Sequence, residues 1–262
     1  GREENSVEMK ELLSFLGNFN VRPATPLPGS PSISKFRADR NRVISELEIR
    51  VCVNRTCRKQ GSMNTLQTLS GVAPSGVSVN SCGCLGRCGA GPNLVALPDG
   101  VMVGHCATSA RAAAIMMELC GVSAEGVSDA ASVSLAALAL RKRSQDEAQK
   151  GRLSEADQLL SQAIDLKPYG GIHYIYKERS CMRLAMGNYS EALEDAKEAL
   201  AVVPHDSEAY ICQGDAFLAM DQFDAAEKSY STSLELDPFI RRSKPFKARI
   251  SRLREKLATA HV

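Results

Sequence analysis

The sequence predicts a small α/β domain followed by an all-α repeat array that ends in a basic capping helix. Three observations carry this prediction. Strand and helix signals alternate between residues 46 and 121. From there on a pattern of small residues and prolines recurs, with Pro168, Pro204 and Pro238 spaced 36 and 34 residues apart. Charge then reverses: residues 154–239 carry 16 acids against 6 bases, and residues 241–256 carry 8 bases against one acid, Glu255.

Residues 1–45 read as an N-terminal extension and linker. The apolar patch Leu12–Leu16 is followed by the breaker run from Arg22 to Pro31. The chain begins with Gly1 and not Met, so removal of an initiator or a targeting segment is the expectation.

Leu47 to Val53 alternates with period two, as a half-buried strand does. Met63 to Leu69 predicts a short helix ended near Gly71, and Val77–Val79 a second strand. Asn93–Leu97 and Val101–Gly104 flank Pro98-Asp99-Gly100, the pattern of a hairpin. Ser109 is placed to cap a helix that runs to Cys120 and closes at Gly121. Residues 46–121 thus form one domain, and residues 122–136, rich in Ser, Ala and Gly, a linker.

Beyond residue 136 three segments align: Gly151-Arg-Leu153 with Ala156, Ala163 and Pro168; Gly187-Asn-Tyr189 with Ala192, Ala199 and Pro204; Asp221-Gln-Phe223 with Ala226, Ser233 and Pro238. Small residues are needed where paired helices cross closely. Tyr210, Gly214 and Phe217 complete the first-helix pattern of the third segment, whereas the first has Arg143 and Ser144 there. The period and these residues resemble tetratricopeptide repeats, which implies three two-helix units over 137–240. Residues 241–262, with Phe246, Ile250, Leu253 and Leu257 at helical spacing, then read as the basic helix that solvates the end of a solenoid.

Composition bounds the function. The chain has 262 residues, enough for two modest cores, with 44% hydrophobic and 24% charged residues. No apolar run reaches the ~18 residues of a membrane span. No nucleophile–base pair or phosphate loop appears, so the chain reads as a non-enzyme. Its basic end has only Phe246 as an aromatic, which argues against nucleic-acid binding.

Nine cysteines are too few for a disulfide scaffold of this length and too clustered for chance. Cys52, Cys57, Cys84 and Cys88 have the spacing C-x4-C-x26-C-x3-C. Two loops at one end of a sheet could bring such pairs to the two irons of a [2Fe–2S] cluster. Gly83, Gly86, Gly89 and Gly91 would let backbone approach its sulfides. Zinc, a pair of disulfides, or cysteines kept after loss of a cluster are the alternatives. Cys82 ends the second strand, His105 and Cys106 follow the hairpin, and Cys120, Cys181 and Cys212 read as small core residues.

Val51-Cys-Val-Asn-Arg-Thr-Cys57, Gly83-Cys-Leu-Gly-Arg-Cys-Gly-Ala-Gly-Pro92 and Leu97-Pro-Asp-Gly-Val101 resemble the thioredoxin-like [2Fe–2S] ferredoxins of cyanobacteria and plastids. The Cys-Leu-Gly-x-Cys element is also similar to the thioredoxin-like cluster subunit of respiratory complex I. The resemblance covers residues 46–121 and fills all four ligand positions. It implies a thioredoxin-like fold, a [2Fe–2S] cofactor and a chloroplast setting, in the stroma or at the stromal face of the thylakoid. Arg55, Arg58, Lys59 and Arg87 ring the ligands, to balance the cluster's charge or to dock an acidic redox partner.

Tetratricopeptide arrays bind protein segments in a concave groove. Where chaperone-binding members grip a C-terminal carboxylate, this chain places Arg141, Gln145, Glu178, Glu208 and Cys212. Glu178 and Glu208 would repel a carboxylate, so a basic or apolar partner segment is expected and a chaperone tail disfavoured. The combination predicts a cluster-bearing scaffold that assembles or stabilises a larger complex, photosynthetic in the plastid case. An electron-transfer component docked by its repeats, or a redox or iron–sulfur sensor, are the alternatives.

Overall fold

The computed structural model describes residues 47–260, so the predicted extension over 1–45 lies outside the described residues. By its internal contacts the chain divides into two compact units.

Within the first unit, β1 (Glu48–Cys52) follows the period-two pattern: Ile49 and Val51 are fully buried, while Glu48 and Arg50 pair on the other face at 2.8 Å. Asn54 caps α1 (Arg55–Lys59), a single basic turn, by accepting from the Arg55 amide at 2.6 Å. Then come α2 (Ser62–Val72), β2 (Ser78–Cys82), β3 (Leu94–Leu97), β4 (Val101–Val103) and α3 (Ser109–Leu119). The sheet order is β2-β1-β3-β4, with β1 parallel to β2, antiparallel to β3, and β3 antiparallel to β4. The core lies between the sheet and the helices, built on Ile49, Leu69, Leu94, Ile115 and Met116.

One local expectation is corrected. Thr108, not Ser109, caps α3, accepting from the Arg111 amide at 3.2 Å. Ser109 instead receives hydrogen bonds from Asn64 and Thr68 of α2. The helix α2 ends near Gly71 as expected, at Val72, and a Cβ on Gly71 would stand 2.6 Å from a Leu138 methyl. Gly71 is the gap that lets residue 138 pack against α2.

The expected linker over 122–136 is also overturned, because α4 runs unbroken from Ala124 to Gln149. Its Ser, Gly and Asp content suggests a linker, yet Val127, Ala131 and Leu138 fall on one helical face and are buried in the first unit's core. Gly126 sits in the first turn, where its cost is small. The compact unit accordingly reaches residue 139 and takes in residues 166–171.

The second unit holds the last turns of α4 with α5 (Leu153–Asp165), α6 (Ile172–Ala185) with α7 (Tyr189–Val202), and α8 (Ser207–Ala219) with α9 (Phe223–Leu236). A 3-10 turn (Pro238–Arg242) leads to α10 (Lys244–Ala260). The aligned small residues are where the helices meet: Ala156, Ala192 and Ala226 are fully buried, as are Ala163, Ala199 and Ser233. Ser144, where the repeat prefers Gly, is buried too, so a small side chain suffices there. At Gly214 a Cβ would stand 2.5 Å from the Tyr230 ring. Phe246 of α10 packs edge-on against that ring, at 5.8 Å between centroids.

Gly214→Val should therefore lower the unfolding free energy by about 2–3 kcal/mol, since it overpacks a rigid aromatic contact and is β-branched in a helix. Urea titration followed by circular dichroism measures this, and an unchanged midpoint would contradict the close crossing of α8 and α9.

Candidate functional site

The parallel pairing of β1 with β2 sets Cys52 opposite Cys82 at one end of the sheet. Cys52 ends β1, and Asn54 starts α1, whose single turn returns Cys57 beside it. Both thiols are buried, and together with Cys82 and the partly buried Leu85 they form a small cluster of their own. Cys84 and Cys88 follow β2 on an exposed glycine-rich loop, with their sulfurs 3.8 Å apart. The four residues singled out by spacing therefore stand as two pairs, one buried and one exposed. Among the described residues no group of three or more His, Cys, Asp or Glu converges on a single metal-ion position.

A hydrogen-bond donor reaches one sulfur of each pair. The Asn93 amide donates to Cys57 at 3.6 Å, and the Gly86 N–H to Cys84 at 3.4 Å. Asn93 is almost wholly buried and is fixed by a second bond to the Arg87 carbonyl at 2.7 Å. Donors of this kind stabilise sulfur that carries negative charge, as metal-bound thiolates do. Burial raises the Cys52 thiol and its own backbone donors pull against that rise, while the Cys88 thiol is raised by its hydrogen bond with Cys84. Burial alone pushes Cys120 up to about 12 and, with little opposition, Cys106 to about 11. Cys82 is likewise pushed up to about 11, by burial first and by the neighbouring thiols second.

The loop has room. A Cβ on Gly83, Gly86 or Gly89 would meet nothing within 4 Å, and Gly86 has φ +81°. Gly91 is the opposite case: its Cβ would crowd the Gln60 amide and stand 3.0 Å from the Cys57 sulfur. Two thiol pairs, a donor to one sulfur of each pair and an open loop fit a dinuclear cluster, in which each iron takes two protein ligands and shares the rest as sulfide. A mononuclear tetrahedral metal would ask for four sulfurs round one point. Arg55, Arg58 and Lys59 are exposed on α1 and line, with Val53 and Asn54, an open hollow beside Cys57.

In the second unit the expected groove positions lie on α4, α6 and α8, the first helices of the three pairs. Their electrostatics differ from the sequence-based expectation. Arg141 is buried and donates to Glu178 Oε1 at 2.8 and 2.6 Å, and Gln145 donates to the same oxygen at 2.8 Å. Lys177, also buried, pairs with Asp206 at 2.7 Å and Glu208 at 2.9 Å. Glu178 and Glu208 are thus neutralised rather than free to repel. The cations Arg141 and Lys177 are engaged by the same pairs, and two positive against three negative groups leave this stretch at −1. Cys212 faces Cys181 with sulfurs 3.8 Å apart, both buried.

Tyr174 lies between the two cations, with Arg141 4.9 Å and Lys177 5.0 Å from its ring centre. His173, beside it, is 7% exposed and its Nδ1 has no hydrogen-bond partner. Burial first, then Lys177 and Arg141 against an opposing Asp206, lower its pKa to about 4. Lys177 and His173 were absent from the sequence-based set. The turn of helix between His173, Lys177 and Glu178 was the signal that could have found them.

Residues 183–250 match the tetratricopeptide repeat family. The protein STIP1 homolog of Dictyostelium discoideum is 35% identical over 85 residues, which is 32% of this chain and 15% of that protein. Heat shock protein STI1 of Saccharomyces cerevisiae is 34% identical over 83 residues, 32% of this chain and 14% of its own length. The Hsp70-Hsp90 organizing protein of Triticum aestivum is 34% identical over 88 residues, 34% of this chain and 15% of its length. The chain thus matches about a seventh of the length of these relatives. Among solved structures, the first TPR domain of human RPAP3 superposes with TM-score 0.43 at 22% identity, covering 47% of this chain and 94% of that domain. The Hsp90 co-chaperone Cns1 of Saccharomyces cerevisiae gives TM-score 0.44 at 20% identity, over 48% of this chain and 40% of Cns1.

The depressed His173 pKa has a pH consequence. Between about pH 4 and 6.5 the unfolded chain binds a proton at this histidine that the native chain does not, so stability is full above 6.5 and falls as pH drops towards 4. The loss amounts to at most about 3 kcal/mol. His173→Leu should flatten this part of the stability–pH curve in urea titrations, and an unchanged slope would contradict a neutral, buried imidazole. A double-mutant cycle of Arg141→Met with Glu178→Gln should give a coupling of about 1–3 kcal/mol. A coupling near zero would mean that the pair is not buried.

Proposed function

We infer that the second unit, whose residues 183–250 match the tetratricopeptide repeat family, is a protein-interaction scaffold. Beyond that, we propose that the chain couples this scaffold to a [2Fe–2S] cluster held by Cys52, Cys57, Cys84 and Cys88, and that it assembles or stabilises a larger complex. The observation that supports the cluster is that the four thiols stand in two pairs at one end of the sheet, with Asn93 donating to Cys57 and the Gly86 N–H to Cys84. When bound, such a cluster supplies a one-electron redox centre. The chain's own residues hold the thiolates. Asn93 and the backbone N–H of Gly86 orient them, and the buried Cys52–Cys57 side excludes water. The strand order β2-β1-β3-β4, with one parallel and two antiparallel pairs, supports a thioredoxin-like frame. The likeness of residues 46–121 to plastid ferredoxins supports a photosynthetic complex of the chloroplast, on the stromal side. Arg55, Arg58, Lys59 and Arg87 suit an acidic redox partner.

For the groove, the buried pairs favour a partner segment other than a free carboxylate, because Arg141 and Lys177 are already engaged. A second reading has its own support: the relatives are Hsp70–Hsp90 organising proteins, and an RPAP3 TPR domain is described bound to the HSP90 peptide SRMEEVD. Calorimetry with that peptide decides. We expect no binding below about 1 mM, and micromolar binding would establish the second reading.

Anaerobic purification should yield a coloured protein with about two irons per chain. Cys84→Ser and Cys88→Ser should each lose most of the iron, while Cys106→Ser and Cys120→Ser keep it. A colourless, iron-free wild-type chain would overturn the cluster.

A further inference from the structure

The repeats do not account for the chemistry of the C-terminal end. In α10, Phe246 and Leu253 are buried, and Arg249, itself largely buried, is clamped to Asp215 at 2.7 and 2.8 Å, with Tyr230 donating to the same carboxylate at 2.7 Å. These residues fasten the helix to α8 and α9, which is all that a cap requires.

The other cations point away. Arg241, Arg242, Lys244, Lys247 and Arg254 are exposed, and none forms an ion pair among the described residues. Lys256 makes only a loose exposed contact of 3.6 Å with Asp221. The one acid of the stretch, Glu255, takes a hydrogen bond from Ser251, and Glu235 and Asp237 precede the turn. Beside the cations stand two large apolar side chains in water, Phe239 at 58% exposure and Leu236 at 37%. A solvating cap needs polar residues of both signs. It does not need five unpaired cations beside an exposed phenyl ring.

We propose that this end of the helical unit, the 3-10 turn and the outer face of α10, docks on an anionic lipid surface. Basic side chains beside an aromatic residue at a helix start match the chemistry of a membrane interface, where cations meet headgroups and the ring enters the acyl boundary. Charge complementarity sets the orientation. Residues 154–239 carry a net −10, so the repeats are repelled and contact is confined to the basic end. A long polyanion such as nucleic acid would meet that acidic body, and Leu236 would gain nothing from a phosphate backbone. No helix of the described residues is long and apolar enough to cross a membrane.

The test is co-sedimentation of the full chain with sucrose-loaded phosphatidylcholine vesicles, with and without about 30 mol% phosphatidylglycerol, at low and high salt. Binding should require phosphatidylglycerol and fall with salt. Arg241→Glu, Arg242→Glu, Lys244→Glu and Lys247→Glu combined remove four cations and should weaken it at least about six-hundredfold, at about fivefold per charge. Phe239→Ser alone should weaken it about tenfold. The corresponding Gln set, with an unchanged thermal melt, stands in if charge reversal perturbs folding, and should also lose at least tenfold. Equal partitioning onto pure phosphatidylcholine, no partitioning at all, or insensitivity to these substitutions would overturn the proposal. So would tighter binding of the same face to a polyglutamate peptide or a single-stranded oligonucleotide than to the vesicles.

Discussion

The parallel pairing of β1 with β2 is the constraint on which the cysteine end rests. It places the ends of two strands, thirty residues apart in sequence, side by side, with Cys52 opposite Cys82. From there, one helical turn capped by Asn54 returns Cys57, and the loop after β2 delivers Cys84 and Cys88. Asn93, which leads into β3, fills the remaining corner between Cys57 and the Arg87 carbonyl. Remove the strand pairing and the four thiols would have no common neighbourhood. The loop glycines matter only because the strands have already set its ends.

The helical unit depends on a different economy. Small residues bring paired helices close, and the polar groups trapped between them pair with one another. Arg141 with Glu178, Lys177 with Asp206 and Glu208, Arg179 with Asp195, and Arg249 with Asp215 form a ladder of mostly buried charges along the unit. Breaking such a pair leaves a buried charge uncompensated, which costs more than the pair contributes. The ladder also decides what the groove offers a partner, since its cations are committed before any ligand arrives.

Legibility in the sequence followed the range of the interactions. Period-two alternation at Ile49 and Val51, the hairpin at Asp99-Gly100 and the spacing of Ala156, Ala192 and Ala226 are local patterns, and the structure places each of them in its expected element. The cysteine spacing predicted two pairs because each pair is local. The start of α4 was misread because Ser, Gly and Asp suggested a linker, while the buried face at Val127, Ala131 and Leu138 is defined by what it packs against. The groove's charge was misread for a similar reason. Glu178 and Glu208 read in isolation as free charges, whereas their partners Arg141 and Lys177 stand 37 and 31 residues away in sequence. Thr108 displaced Ser109 as a cap because Ser109 is held by α2, which lies about 40 residues earlier.

The central claim is that two thiol pairs on this sheet hold one dinuclear cluster beside a repeat scaffold. Mössbauer spectroscopy of the full chain, purified anaerobically after growth on iron-57, tests it most directly. The account predicts two sulfur-coordinated ferric sites that are jointly diamagnetic in the oxidised protein, and one localised ferrous site after one-electron reduction. A paramagnetic mononuclear iron spectrum, or no bound iron in a folded chain, would contradict it.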